Sequence, residues 1–268
     1  MEEYFTGKKL YGDDFTPEQI KSWYEEESEG YADLGAKEAS SYEYHYHTIN
    51  KAYGFSKIKC GEFNNVLGFG SAWGFELLPV INKIKHLTIV EPSDNMRSEE
   101  IMGLIPEYIK PEVNGTLPFS DNSFDLITCL GVLHHIPNVS HVLSELIRVL
   151  LPGGHILLRE PIGSMGDWRK KRQGLTKNER GISDFYLDLI LSEQPVKIVS
   201  KKYCFTATSL LQRKLKRLLK KPLCSYKAYV FIDKWISAIL YKNTHYHPQT
   251  VMQKIAPSSL FYVIVKTS

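Results

Sequence analysis

A chain of 268 residues, 43% hydrophobic and 24% charged, is long enough for one sizeable core and carries no low-complexity tract that would argue against a folded domain. No apolar run approaches the ~20 residues needed to cross a bilayer, and the opening MEEYFTGKKLYGDDF is too polar for a secretory signal. Four scattered cysteines without a CxxC pair point to neither a zinc site nor a disulfide framework, so a reduced cytoplasmic protein without a metal is expected.

The net charge of +3 hides an asymmetry: residues 206–258 hold ten Lys/Arg and a single acid, Asp233, so the remainder is acidic. Residues 1–60 read as a helical N-terminal cap. Thr16-Pro17-Glu18-Gln19 has the form of a helix start, with Thr16 at the N-cap, Pro17 in the first turn and Gln19 closing a capping box. Further on, Tyr42, Tyr44 and Tyr46 surround His45 and His47. Either they form a half-buried aromatic helix face, or they are a lid that lays a ring over a ligand.

From Asn64 short apolar runs alternate with helical stretches. The runs NNVLGF, HLTIVE, FDLITCL and HILLRE suit strands buried on both faces. Their alternation with helices argues an α/β fold, a Rossmann-like, doubly wound parallel sheet spanning residues 61–268. VLGFGSAWGFELL places Gly68, Gly70 and Gly74 between the first strand and an expected helix. Small residues there let backbone approach a ligand, and Glu91, 21 positions after Gly70 at the end of the second strand, suits ribose hydroxyls. NVSHVLSELIRVLLPGG reads as a helix capped by Ser140, with Leu143, Leu146, Ile147 and Leu150 inward and Gly153-Gly154 as its stop. A basic insert read as helical, 206–258, precedes a last strand, SLFYVIVKT.

VLGFGSAWGFEL, IVEPSDNM, LPFSDNSFDLITCLGVLHHIPN and ELIRVLLPGGHILLREP, in this order over about 64–161, resemble the class I S-adenosylmethionine-dependent methyltransferases, small-molecule branch. The resemblance implies a seven-stranded sheet with an antiparallel last strand, and S-adenosyl-L-methionine as cofactor. It implies that Gly68, Phe69, Gly70, Ser71 and Gly74 approach the methionine and ribose, that Glu91 holds the ribose, and that Pro92 and Met96 line the adenine. Leu130 would give backbone contacts. Two positions depart from the family: Gly68 stands where an acid usually holds the cofactor's amino-acid end, and Ala72 replaces a central glycine. Glu38 or Glu43 could substitute for the acid, and Asn114 for an acid that reads the adenine amino group.

A hydroxyl acceptor needs a base, for which His134, His135, Glu160 and Asp167 are placed after the fourth and fifth strands. The histidines could equally orient cofactor or structure. Trp168, Arg169, Lys170, Lys171, Arg172 and Arg180 fall in the loop that builds the acceptor pocket in this family; aromatic plus arginine could grip a sugar or phosphate, or form a solvated charge run. This loop resembles those of polysaccharide and lipopolysaccharide methyltransferases. The basic insert could cover the pocket, lie on an anionic membrane, or bind nucleic acid or a partner; no nucleic-acid module is recognisable. The expectation is a methyltransferase acting on a hydroxyl of a small molecule, a sugar or glycan favoured. N- or RNA-methylation and a catalytically silent binding protein are the rivals, and the oligomeric state is open.

Overall fold

The structure, a computed structural model, describes residues 2–34, 42–59, 61–206, 208–215 and 218–267, with side chains outside 28–34, 209–210 and 213. Seven strands form one sheet: β1 (Phe63–Phe69), β2 (Ile84–Val90), β3 (Glu107–Ile109), β4 (Phe124–Leu130), β5 (Leu150–Pro161), β6 (Val196–Cys204) and β7 (Ser259–Lys266). The order is β3-β2-β1-β4-β5-β7-β6. β1 to β5 run parallel and β7 pairs antiparallel with both β5 and β6, as the Rossmann-like reading requires. Strand order reverses between β1 and β4, so their carboxyl ends open a crevice.

The helices are α1 (Glu2–Phe5), α2 (Pro17–Leu34), α3 (His47–Tyr53), α4 (Val139–Val149), α5 (Asp184–Ser192), α6 (Thr208–Leu215) and α7 (Lys227–Leu240). The Thr16 box closes as expected: Thr16 N donates to Gln19 Oε1 at 2.9 Å and Gln19 N to Thr16 Oγ1 at 3.4 Å. α4 differs. Asn138 occupies its N-cap position, and the Ser140 amide is held by Asp13 Oδ1 at 2.8 Å, so a carboxylate from the N-terminal segment supports that helix end. Gly153-Gly154 lie inside β5, where the register shifts, rather than at the helix stop.

The expected helix after the glycine loop is also absent from the described residues. Between β1 and β2 stand two single turns of 3₁₀ helix, Phe75–Leu77 and Ile81–Lys83. A short crossover with left-handed Gly74 (φ 73°) and Pro79 inside leaves little room for an α-helix. That face of the sheet is covered instead by α3, the 3₁₀ turn after it and α7: Ile49, Tyr53, Phe55 and Val230 pack on Val66, Leu126, Leu157 and Phe261. On the other face, α4 and α5 bury Leu143, Leu146, Ile147, Leu187 and Ile190 against Leu67, Ile127 and Leu158.

Arg148 explains why the third and fourth sequence blocks travel together. Its guanidinium donates to Leu117 O (2.9 Å) and Phe119 O (2.8 Å) and pairs with Glu145 and Asp121, pinning the loop before β4 to α4.

Candidate active site

Two cavities flank the Gly70–Ala72 loop at the carboxyl ends of β1, β2, β4 and β5, and both touch Gly70, Ala72 and Met96. The larger, about 710 Å³, is lined by Phe69, Glu91, Pro92, His135 and Asn138, with Trp23, Tyr24 and Glu27 from α2. The smaller, about 450 Å³, is lined by Ser71, Leu130, His134, Arg159 and Glu160 and by the rings of Tyr42, Tyr44, Tyr46, Trp73, Phe75 and Phe205. Tyr42, Tyr44 and Tyr46 precede α3 and lie on a loop, so the aromatic cluster walls a cavity rather than forming a helix face.

The loop is built for close approach. Gly70 has φ 62°, its amide donates to Val90 O at 2.8 Å, and a Cβ there would stand 2.4 Å from Val132 Cγ1. Ala72 also takes a left-handed conformation, φ 46°, at the position where the family has glycine. Its amide donates to Glu91 Oε2 at 3.0 Å, and Ser93 N donates to Glu91 Oε1 at 3.1 Å. Glu91 is buried in the crevice with its carboxylate fixed by two amides, and burial raises its pKa. Trp73 is buried beside Tyr42 and Phe75 and lines the smaller cavity, leaving the Glu91 side unblocked.

The missing acid has a structural reason. A Cβ on Gly68 would lie 2.5 Å from Ser71 Oγ, so Ser71 fills the space that an acidic side chain would need. Of the two proposed substitutes, Glu43 is exposed and pairs with Lys221, and Glu38 lies outside the described residues. The carboxylate at this point is Glu76, which sequence reasoning missed. It lines the smaller cavity, accepts from Thr128 Oγ1 at 3.4 Å, and is pushed by burial up to about 7. Its signal in sequence was an acid inside an otherwise apolar run, FELL.

Asn114 does not line either cavity. Its Oδ1 accepts from Thr116 N at 2.9 Å, an Asx turn that uses up the side chain's acceptor. Asn138 stands there instead: its Nδ2 donates to Asn114 O at 2.7 Å, and its Oδ1 is buried without a partner at the larger cavity's wall. Gly68 and Gly74 shape the loop without lining a cavity.

The three proposed catalytic residues separate. His134 Nδ1 lies 2.8 Å from Glu160 Oε2, and Glu160 also accepts from Val132 N (2.9 Å) and Leu133 N (2.8 Å). Such a fully engaged, buried carboxylate is a positioning group, and it fixes the ring so that His134 Nδ1 carries the proton. His135 faces the other cavity. Its Nδ1 lies 3.0 Å from Glu27 Oε2, and burial lowers its pKa. Nitrogens of His134 and His135 and an oxygen of Glu179 fall within 4.8 Å of one another, a grouping that sequence spacing did not show. The carboxylates around it are partly used: Glu179 accepts from Thr176 N through Oε2 while its Oε1 lies 3.7 Å from His134 Nε2, and Glu27 accepts from Asn178 N and Thr176 Oγ1.

The loop after β5 does not form the acceptor grip. Trp168, Arg169, Arg172 and Arg180 line neither cavity. Trp168 stacks on Phe5 and Tyr11. Arg172 donates to the carbonyls of Thr176, Lys177 and Glu179, and Arg169 pairs with Asp167, whose carboxyl it holds at about 2. Arg180 is fully buried, donating to the carbonyls of Tyr11, Ile136 and Pro137. An arginine in a run of charges reads as solvated or ligand-binding; Arg172 and Arg180 instead tie off backbone acceptors, while Arg169 stays exposed in a carboxylate pair.

Residues 66–158 match the family described as a methyltransferase domain. Over 92 residues the chain is 36% identical to the ubiquinone/menaquinone biosynthesis C-methyltransferase UbiE of Bartonella bacilliformis, covering 32% of this chain and 35% of that one. It is 35% identical over 102 residues to the tRNA U34 carboxymethyltransferase of Nautilia profundicola, covering 36% and 34%. The matched part thus spans about a third of the length of these curated relatives. Among solved structures, a SAM-dependent methyltransferase from Leishmania major superposes with a TM-score of 0.55 at 17% identity over 72% of this chain and 80% of that one, a likeness of fold.

Proposed function

We propose that this chain, whose residues 66–158 make it a member of the class I S-adenosylmethionine-dependent methyltransferase superfamily, methylates a flat, hydroxylated ring compound held in the aromatic cavity. The residues present fit the cofactor. Ser71 Oγ and Asn138 Oδ1 are buried polar atoms without a partner at the walls of the two cavities, beside the left-handed Gly70 turn. Glu91 would hold the ribose hydroxyls, Asn138 the adenine edge, and Glu76 with Ser71 the amino-acid end. When bound, S-adenosylmethionine supplies an electrophilic methyl group on a sulfonium.

The observation that carries the acceptor class is the ring-lined wall. Tyr42, Tyr44, Tyr46, Trp73, Phe75 and Phe205 offer faces and edges to a planar ring, and the Arg159 guanidinium lies 4.1 Å from the Tyr46 ring centre. Burial pushes Tyr42 up to about 12 and raises Tyr44 as well, so both stay protonated donors near neutral pH. His134 is the base. With Nδ1 held by Glu160, Nε2, which stands 3.7 Å from Glu179 Oε1, is the nitrogen that takes the hydroxyl proton. On an aromatic ring the resulting oxyanion is nucleophilic at oxygen and at the ortho and para carbons; methylation at carbon is completed by loss of that carbon's proton to solvent. Arg159, buried beside the cavity, supplies a compensating positive charge. A C-methyltransferase of quinone biosynthesis among the relatives agrees with a ring acceptor. A sugar or glycan acceptor loses the four loop residues on which that expectation rested, since all four are engaged elsewhere.

The test is incubation with S-adenosylmethionine and a panel of phenols, hydroquinones, sugars and a transfer-RNA pool, with product mass and carbon NMR as readout. Transfer to a hydroxylated ring supports the assignment. Transfer confined to sugars or RNA refutes it, and cofactor binding without transfer to any of them favours the silent reading.

A further inference from the structure

We infer that the outward face of α7 docks the protein on an anionic lipid bilayer. The helix is inverted with respect to an ordinary surface helix. Its inward positions include Asp233 and Ser237, both buried, while Phe231 (64% exposed), Ile232, Trp235 (58%), Ile236 and Ile239 (74%) face out. The inward polar groups are fully used: Asp233 accepts from Phe205 N and Thr206 N at 2.8 Å each, and Ser237 Oγ lies 2.7 Å from Thr206 Oγ1. The orientation is therefore fixed by hydrogen bonds, and the apolar stripe is left to solvent.

Charge identifies the occupant. Lys227, Lys234 and Lys242 rim the stripe, Lys220 and Lys254 are exposed in the same segment, and the segment's one acid, Asp233, points inward. A second copy of this chain would bring two such basic rims face to face, whereas a negatively charged lipid surface neutralises the rim and buries the stripe. No helix among the described residues is long and apolar enough to cross a membrane, so α7 would lie in the interface. Phe205, held by Asp233, lines the aromatic cavity, so docking through α7 sets the bilayer beside the helix that supports that cavity's wall. The docking itself does not depend on which acceptor the cavity takes.

The experiment uses the full chain with vesicles of equimolar phosphatidylcholine and phosphatidylglycerol, and with phosphatidylcholine alone, read by sedimentation. Brominated lipids give a second readout. Trp235 is exposed while Trp23, Trp73 and Trp168 are buried, so quenching reports on α7. Binding to the anionic vesicles with quenched fluorescence is expected. The triple variant Lys227→Gln, Lys234→Gln, Lys242→Gln should bind about a hundredfold more weakly, at about fivefold per lysine. Phe231→Ser with Ile239→Ser should lose at least about tenfold, while S-adenosylhomocysteine binding by calorimetry stays unchanged as proof of folding. Failure to bind anionic vesicles, equal binding to neutral ones, or a dimer in light scattering that Phe231→Ser dissociates would overturn the inference.

Discussion

Replacing Glu76 by glutamine should make the protein more stable and a poorer binder of its cofactor. The carboxyl is fully buried, and its pKa is raised from 4.5 to about 7, chiefly by loss of hydration. At 1.36 kcal/mol per pKa unit that rise corresponds to about 3 kcal/mol. The sign follows from proton affinity. The folded state holds the proton more tightly than the unfolded chain, so the stability associated with the neutral carboxyl is complete below about pH 4.5. It is lost as pH rises through about 7. The amide of the Glu76→Gln variant does not titrate. The variant should therefore match wild type near pH 4, pull ahead between pH 4.5 and 7, and level off at about 3 kcal/mol, or about 6–12 °C in Tm for a chain of this size. Urea unfolding at stepped pH, without ligand, measures this with unchanged m-values. A difference independent of pH, or largest at low pH, would refute the burial argument. The same variant titrated with S-adenosylhomocysteine should bind about tenfold or more weakly, because an amide cannot neutralise an ammonium group; unchanged affinity would remove Glu76 from the cofactor site.

Other outcomes follow from the loop and the dyad. Ala72→Gly relieves a left-handed alanine and should raise stability by about 1 kcal/mol in thermal melts, with cofactor affinity retained. Gly70→Ala should cost most of the cofactor affinity through its clash with Val132, and Val132→Ala should restore part of it in calorimetry. His134→Gln should lower kcat by about 10²–10⁴ while leaving S-adenosylhomocysteine binding intact. Glu160→Gln should shift the pH profile of kcat, whereas equal activity of both variants at every pH would dismiss the dyad. Chelator treatment should leave turnover unchanged; a loss restored by one divalent ion would make the His134, His135 and Glu179 grouping a metal site.

Much of the sheet was legible because strands buried on both faces write themselves as unbroken Val, Ile and Leu runs: FDLITCL is β4 residue for residue. Glu91 was legible for a similar reason, since strand length and turn fix its distance from Gly70. Contacts between distant segments were not. Nothing local to Asn138 or Glu76 tells which cavity wall it joins, and Asn114 looked better placed until its side chain closed a turn on Thr116. Arg180 is the clearest case. A charged residue in a loop reads as exposed, yet carbonyls from Tyr11, Ile136 and Pro137, far apart in sequence, meet around it. The inverted polarity of α7 was hidden likewise, because a helix shows its apolar stripe in sequence without showing which way it turns.

Calorimetric titration of S-adenosylhomocysteine into wild type and Glu91→Gln tests the central claim most directly, since Glu91 anchors both the loop and the expected ribose site. Wild type should bind, and Glu91→Gln should lose about 1.5–3 kcal/mol, a factor of about 10–150. Equal binding by the two proteins, or no heat from wild type, would contradict the account.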